Sequence, residues 1–286
     1  MRALTAPALA LVLVVPAARA QGNCYPATDS READLFAHFA VPLAYAPAQA
    51  PWIYRAGSVQ FGLEAARLPD ASDRMATPTT CRPGKGPENV NLLPGLLRPR
   101  LAYALPEGVL LEAAWIPPVR LNEVKANFVS VALSRSLPLG DAGTLFTGRL
   151  HATIGSMHAP ITCPDDALAD TLSECYQGTR SNDRFSPNIF GAELAFTFPR
   201  ANGRFRPYLG AGYSILHPRF QVHFRNAQGT LDRRKVEVNL RRVAVFGGAT
   251  LAVSPDFLLS GEVYSTPLDQ VTARVRMTVV TGGNRR

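Results

Sequence analysis

Charged residues recur at alternate positions between apolar ones, and this spacing decides what chemistry they can do. Glu64, for example, lies between Leu63 and Ala65. In strands, side chains two apart share a face, so eleven such residues would face the same way. They are Glu64, Arg98, Arg100, Glu112, Arg149, Glu193, Arg206, Arg242, Glu262, Arg274 and Arg276. On a shared inner face they would pair with one another, and the arginine excess would attract anions.

A second candidate for chemistry is a serine and a histidine two residues apart, Ser156 and His158. A hydrolase would also need an acid beside them, and the nearest candidate, Glu174, is predicted to lie in a loop. His151 is expected to be a polar residue of the inner face. The sequence contains no phosphate-binding glycine loop, serine elbow or metal motif, so we predict a protein that is not an enzyme and needs no cofactor or metal.

Four cysteines follow what looks like a secretory signal and indicate disulfides formed in an oxidising compartment. Cys163 and Cys175 are close in a polar stretch, which favours one clipped loop. Cys24 would then pair with Cys81. Three pairings are possible for four cysteines, so this connectivity remains a hypothesis.

The elements that would position these residues are strands. From Phe190 to Phe198 every second residue is apolar, and the alternation resumes at Phe205 after Ala201-Asn202-Gly203. Asn-Gly between two alternating runs predicts a tight hairpin. Similar runs give ten predicted strands, at 57–66, 96–105, 109–116, 123–137, 144–155, 190–198, 204–215, 238–253, 257–264 and 270–280.

Connections between these strands alternate between tight turns and mostly longer loops. Short turns on one side and long loops on the other are typical of outer-membrane barrels, in which the apolar face contacts lipid and the polar face lines the lumen. We therefore predict an all-β, closed antiparallel transmembrane barrel of about 10 strands, with 8 or 12 as alternatives. A soluble periplasmic β-barrel binder, with Phe190, Leu194, Phe196 and Leu209 as its core, is a further alternative.

The ends of the chain carry separate signals. Residues 1–20 have the basic, apolar and small-residue regions of a signal peptide, with cleavage before Gln21. Residues 21–56 do not alternate and form an N-terminal arm, with a short helix over 31–39. If Cys24 bonds Cys81, the arm has to reach the external side, and threading through the lumen would make it a plug. The barrel then spans 57–281, and 282–286 form a C-terminal tail.

Several motifs in the second half resemble small outer-membrane β-barrel proteins of the OmpA-like or porin type. They are Arg206-Pro207-Tyr208-Leu209-Gly210-Ala211-Gly212-Tyr213, Phe246-Gly247-Gly248-Ala249, Ser254-Pro255-Asp256 and Leu259-Ser260-Gly261-Glu262-Val263-Tyr264. The resemblance is best over 186–280 and implies architecture rather than activity. One departure is the end of the chain, which lacks the terminal aromatic residue that such barrels use for assembly.

Together these observations predict an outer-membrane protein with a structural or narrow-pore role and disulfide-clipped external loops. Its partners would be outer-membrane lipid and, if the lumen is open, small solutes. Without Arg2 and Arg19 the chain has 28 basic and 22 acidic residues, and no basic patch with aromatic neighbours indicates nucleic-acid binding. The alternative role is a lipid-modifying barrel enzyme that uses Ser156 and His158.

Overall fold

The alternating segments form ten barrel strands in the computed structural model, which describes residues 22–140, 143–200, 203–267 and 269–282. The first five are β1 (Val59–Arg67), β2 (Gly95–Ala104), β3 (Val109–Ile116), β4 (Val124–Leu139) and β5 (Thr144–Ala159). The other five are β6 (Ile189–Thr197), β7 (Phe205–Leu216), β8 (Leu240–Ala252), β9 (Phe257–Thr266) and β10 (Gln270–Thr281). The predicted signal peptide and residues 283–286 of the predicted tail lie outside the described residues.

The strands close into one barrel. Each strand pairs antiparallel with the next in the chain, and β10 pairs with β1 from Val59 opposite Thr281 to Ala66 opposite Arg274. Closure gives every strand of the wall a paired neighbour on both sides, although β2 and β3 pair only over their turn-side halves, from Arg100 opposite Ala114 to Ala104 opposite Leu110. The predicted closed antiparallel barrel of ten strands is confirmed, and the alternatives of 8 and 12 strands are wrong.

The two faces of the wall differ in the way that a membrane barrel requires. Outward side chains are apolar and accessible; Leu97 and Leu150 are 59% and 62% exposed. Such a band would be an aggregation surface in water, but it meets acyl chains in a bilayer. The soluble alternative is wrong, because Phe190, Leu194 and Leu209 point outward instead of forming a core. The protein is an outer-membrane β-barrel.

One end of the barrel carries tight turns and the other a layered cap. The cap includes α1 (Arg31–Ala40), which begins after Ser30, whose Oγ accepts a hydrogen bond from the Ala33 N–H at 3.2 Å. A 3₁₀ turn (Val41–Leu43) follows it, and α2 (Asp73–Ala76) lies in the β1–β2 loop. No helix in the described ranges is long and apolar enough to cross a membrane.

External strands extend the wall beyond the bilayer. Asp183–Ser186 pairs with the end of β5 and with Arg219–Gln221, which pairs in turn with Lys235–Glu237. Phe224–Arg225 and Leu231–Asp232 pair with each other in a separate short hairpin. Apolar side chains from this sheet face inward and pack against α1. The cap and the wall therefore form one continuous core at the external end.

Candidate functional site

The centre of the barrel is occupied by the chain itself. After α1, residues 41–54, here called the lumen segment, run from the cap to the turn end of the barrel, where the chain turns and enters β1. Nearly all of the lumen segment is buried, and Tyr45 and Ala46 are fully inaccessible. The segment contains three prolines, so it cannot form a regular helix or pair as a central strand. Its backbone groups must be satisfied by the wall.

Arginine side chains of the wall satisfy the carbonyls of the lumen segment. Arg98 donates to the Leu43 carbonyl at 3.2 Å, and Arg100 donates to the carbonyls of Ala46 and Pro47 at 2.6 and 2.9 Å. Three further arginines do the same; they are Arg149 to Tyr45, Arg274 to Pro42 and Arg276 to Pro47. A guanidinium presents five donors in a fixed fork, so it can bind a carbonyl and a carboxylate together.

Carboxylates of the wall form ion pairs with four of these five arginines. Glu64 lies 2.5 Å from Arg100, and Glu112 accepts from Arg149 at 3.0 Å. Four more pairs belong to the network, namely Arg149 with Glu193 at 2.7 Å, Arg276 with Glu112 at 3.3 Å, Arg274 with Glu262 at 3.7 Å and Arg100 with Glu112 at 3.8 Å. Because these charges are almost completely buried, each needs its partners, and removing one would leave an uncompensated charge.

Amide groups of the lumen segment bind acceptors on β8 and β9. The Ala48 N–H donates to Glu262 Oε2 at 2.9 Å, and the Ala50 N–H donates to Thr250 Oγ1 at 2.8 Å. Ala48 has φ of +53°, a left-handed conformation that costs a residue other than glycine roughly 1–3 kcal/mol. The wall thus holds this part of the segment in a strained conformation.

Tyr45 lies at the centre of the arginine cluster. Its ring is 4.2 Å from the guanidinium carbon of Arg100 and 4.9 Å from that of Arg149, measured to the ring centroid. Arg98 lies at 5.6 Å. Cation–π contacts strengthen when they are desolvated, so one aromatic ring helps to hold three cations at close range.

Two of the arginines predicted for the inner face lie apart from this central network. Arg206 is at the turn end, where its guanidinium carbon is 3.9 Å from the ring centroid of Trp52. Arg242 is at the external rim and pairs with Asp269 at 2.8 Å. The structure therefore brings together nine of the eleven predicted charged residues, while these two bind the ends of the barrel.

Two disulfides cross-link the cap, and their connectivity is the one that the sequence favours. Cys24 bonds Cys81, and Cys163 bonds Cys175. The first bond joins the segment before α1 to the β1–β2 loop, on the external side. Since β1 is entered from the turn end, the intervening chain passes through the lumen. Neither disulfide lies in the membrane-spanning wall.

Glu32 of α1 is bound to the same loop as the first disulfide. Its Oε1 accepts hydrogen bonds from the N–H groups of Thr79, Thr80 and Cys81 at 2.8, 2.6 and 3.1 Å. Burial alone would raise the pKa of Glu32, but these backbone donors outweigh it and hold the pKa below its ordinary value. The charged form of Glu32 thus anchors α1.

Ser156 and His158 lie at the external end of β5, but they form no triad. The residues opposite His158 in the sheet are Lys125 and Arg184, both cations. The predicted acid candidate Glu174 instead contacts Arg82. His151 faces inward next to Glu193, at 3.7 Å. Within the part of the chain that the structure describes, no cluster of three or more potential metal ligands occurs.

Tyr45, Trp52 and the carbonyls of residues 42–47 are parts of the site that sequence reasoning missed. Their segment has no periodicity, and backbone acceptors leave no trace in residue types. The proline spacing is the one available signal, because it forbids regular pairing. Phe128 is an apolar residue on the inner face, which is otherwise mostly polar. It points inward at the external end of the lumen, where the interior becomes apolar.

Comparisons with known proteins give only distant matches. No family model and no curated protein matches the sequence. The solved outer membrane protein Ail of Yersinia pestis is 11% identical, with 78% of this chain and 99% of that chain covered and a TM-score of 0.31. Neisserial surface protein A is 12% identical, with 78% of this chain and 94% of that chain covered and a TM-score of 0.28. Omp33 of Acinetobacter baumannii is 8% identical, with 79% of this chain and 98% of that chain covered and a TM-score of 0.29.

At these identities and TM-scores the likeness carries no argument about function. The assignment rests on this chain's own closed register and on its exposed apolar exterior. On those grounds the chain is a closed transmembrane β-barrel protein.

Proposed function

We propose that the protein is a plugged outer-membrane barrel with a structural role, whose disulfide-clipped external loops make its contacts with the surroundings. The observation that carries this proposal is the course of the lumen segment, which fills the barrel axis and is bound by the wall along its length. In this proposal residues 21–56 form the plug domain and 57–281 the barrel domain. No solute passes through the folded protein.

The alternative role as an anion-selective pore depends on free arginines in the lumen. Five central arginines donate to carbonyls of the lumen segment, and four of these also lie within 4 Å of a wall carboxylate. A permeating anion would have to displace several of these bonds at once. The arginine excess is therefore better explained by the backbone acceptors, which carry partial negative charge but no formal charge.

Conductance across planar bilayers tests the proposal. We expect no channel steps from the intact protein and discrete steps from a variant lacking residues 22–54. Folding of both proteins is checked by their mobility in SDS before and after boiling, since a closed barrel resists SDS when cold. Steps of equal size from both proteins would show that the lumen segment does not block the pore and would reject the proposal.

A cross-linking experiment locates the lumen segment without deleting it. Ala50→Cys combined with Thr250→Cys should form a disulfide, because the Ala50 N–H lies 2.8 Å from Thr250 Oγ1. Ala50→Cys with Leu251→Cys is the matched control, since Leu251 points outward to lipid. Formation of the control bond instead of the test bond would place the segment outside the lumen and contradict the plug.

A catalytic role is not part of this proposal. The lipid-modifying alternative requires a base that is oriented by an acid, and the groups opposite His158 are cations. Ser156→Ala should therefore leave the lipids of a host membrane unchanged when they are analysed by mass spectrometry. A change in lipid composition that depends on Ser156 would restore the enzyme interpretation.

A further inference from the structure

The barrel wall is interrupted between β2 and β3 in its external half. These strands pair from Ala104 opposite Leu110 to Arg100 opposite Ala114, and the ladder ends there. Pro99 lacks an N–H, and β3 ends at Ile116 because Pro117 and Pro118 follow. Beyond this point β2 continues to Gly95 while pairing only with β1. The wall has a lateral opening where its neighbour is missing.

A cavity of about 370 Å³ lies behind this opening, within the size range of ligand pockets. Its mouth is formed by outward residues such as Leu97, Val119 and Leu121, which are 58–59% exposed. Its inner end is formed by apolar residues that include Phe39 and Phe128. The cavity is therefore continuous with the lipid-contact surface, and the molecules that reach it first are membrane lipids.

A row of basic side chains crosses the outer surface beside this cavity. Five register pairs align it, namely Arg120 with Lys125, Lys125 with His158, His158 with Arg184, Arg184 with Gln221 and Gln221 with Lys235. We call Arg120, Lys125, His158, Arg184 and Lys235 the basic row. It contains no acid, and in Arg120 and Lys125 it places two cations directly opposite each other, which destabilises a sheet. An arrangement of this kind indicates an anionic partner.

The basic row has no internal counter-charge. Among the described residues, Arg120, Lys125, Arg184 and Lys235 form no ion pair with a carboxylate, whereas neighbouring Arg180 and Arg219 do. His158 lies four residues beyond the lipid-facing Ile154 along β5. Four residues of a tilted strand place the basic row about 10 Å further out along the membrane normal than Ile154. This is the level of lipid head groups.

The row and the cavity meet on one short stretch of chain. Leu121, Val124 and Ala126 line the cavity, while Arg120 and Lys125 are next to them in sequence and point outward. We propose that this is a binding site for an anionic, phosphate-bearing lipid of the outer leaflet. One acyl chain enters the cavity between β2 and β3, and the phosphate binds Arg120 and Lys125. The rest of the basic row extends the same surface to further lipid phosphates.

Tryptophan fluorescence can report occupancy of this site. The chain has two tryptophans. Trp115 points outward on the external half of β3, next to the cavity residue Ile116, whereas Trp52 is partly buried at the turn end of the barrel, near Arg206. The folded full-length protein is placed in phosphatidylcholine vesicles that contain either phosphatidic acid or phosphatidylcholine with brominated acyl chains. Bromine quenches only a nearby indole.

We expect brominated phosphatidic acid to quench Trp115 at lower mole fraction than brominated phosphatidylcholine. Arg120→Ala with Lys125→Ala should weaken this preference about tenfold, since each cation near an anionic lipid surface contributes severalfold. Arg135→Ala is the matched control, because Arg135 is an exposed cation on the opposite end of β4. Equal quenching by both lipids, or an equal loss in the control, would overturn the proposal.

The cavity is tested separately by filling it. Ala126→Phe should reduce quenching by brominated phosphatidic acid, because the added ring occupies the space of the acyl chain. Ala113→Phe, which adds the same ring to the outer surface, should not. Unchanged quenching in a correctly folded Ala126→Phe protein would show that the chain does not enter the cavity and would reject that half of the site. Neither result depends on whether the lumen conducts.

Discussion

At the scale of single residues, the charged groups of the cap and of the lumen perform the same task. Each binds backbone that has no regular partner. In the lumen, Arg100 binds carbonyls of the lumen segment, and in the cap Glu32 binds three N–H groups of a loop. Hydrogen bonds to charged groups stabilise by more than neutral ones do, so single residues can order long irregular segments.

Protonation of Glu32 should release the cap. Because its folded pKa lies below the ordinary 4.5, Glu32 contributes stability that is complete above 4.5 and is lost as the pH falls through the folded value. Glu32→Gln should remove this acid dependence and weaken the loop by about 1–2 kcal/mol at neutral pH. Amide hydrogen exchange at Thr79, Thr80 and Cys81 as a function of pH measures the local stability of this loop.

The control for this prediction is Asp29→Asn, in the exposed turn before α1. It should leave exchange at the loop amides unchanged. Loop amides that exchange equally fast in the Glu32→Gln protein and the unsubstituted protein would show that the carboxylate does not hold the loop.

At the scale of elements, α1 closes the external end by packing rather than by pairing. Phe36 is buried, with its ring centroid 5.9 Å from that of Phe185 and 6.3 Å from that of Phe220. These partners belong to the short external strands. The wall itself is closed by its own hydrogen-bonded ladder, so the stability of the cap should be separable from that of the barrel.

Phe36→Ala should loosen the cap and leave the barrel closed. Loss of a buried phenylalanine costs about 3–5 kcal/mol in well-packed cores. We expect faster proteolysis or hydrogen exchange in residues 22–40, with the same shift in SDS mobility on boiling. Tyr25→Ala, at a position that is 67% exposed, is the control. A Phe36→Ala protein that migrates as unfolded without boiling would show that cap and wall fold as one unit.

The strands were predictable because one physical requirement governs every residue in them. A wall between lipid and lumen needs strict alternation, and β3 was predicted at its observed bounds, Val109–Ile116. The length of β5 was underestimated, since it continues to Ala159 as part of the external sheet. Beyond the bilayer both faces of a strand can be polar, and the alternation that reveals a strand is lost.

The lumen segment was not predictable in detail for a different reason. Its binding partners are backbone carbonyls such as that of Pro47, which every residue type offers. The sequence could suggest a plug only through an indirect argument. The Cys24–Cys81 disulfide puts the start of the arm on the external side, whereas an even number of strands means that the chain enters β1 from the turn side. The residue types of the wall predicted that its inner face is charged. They did not reveal that these charges would bind backbone groups of the lumen segment instead of water.

At the scale of the whole molecule, the exterior of the barrel is the part that meets lipid, and a single substitution tests it. Leu150 lies opposite Leu133 near the middle of the wall and points outward. Leu150→Arg should destabilise the barrel by about 2–4 kcal/mol in lipid vesicles, since a cation at the bilayer midplane loses its hydration. Denaturant titration of folding into vesicles measures this loss. Leu172→Arg, in a water-exposed external loop, should change nothing measurable. If Leu150→Arg were as harmless as Leu172→Arg, the outer face would be in contact with water, and the cavity between β2 and β3 would open to solvent instead of lipid.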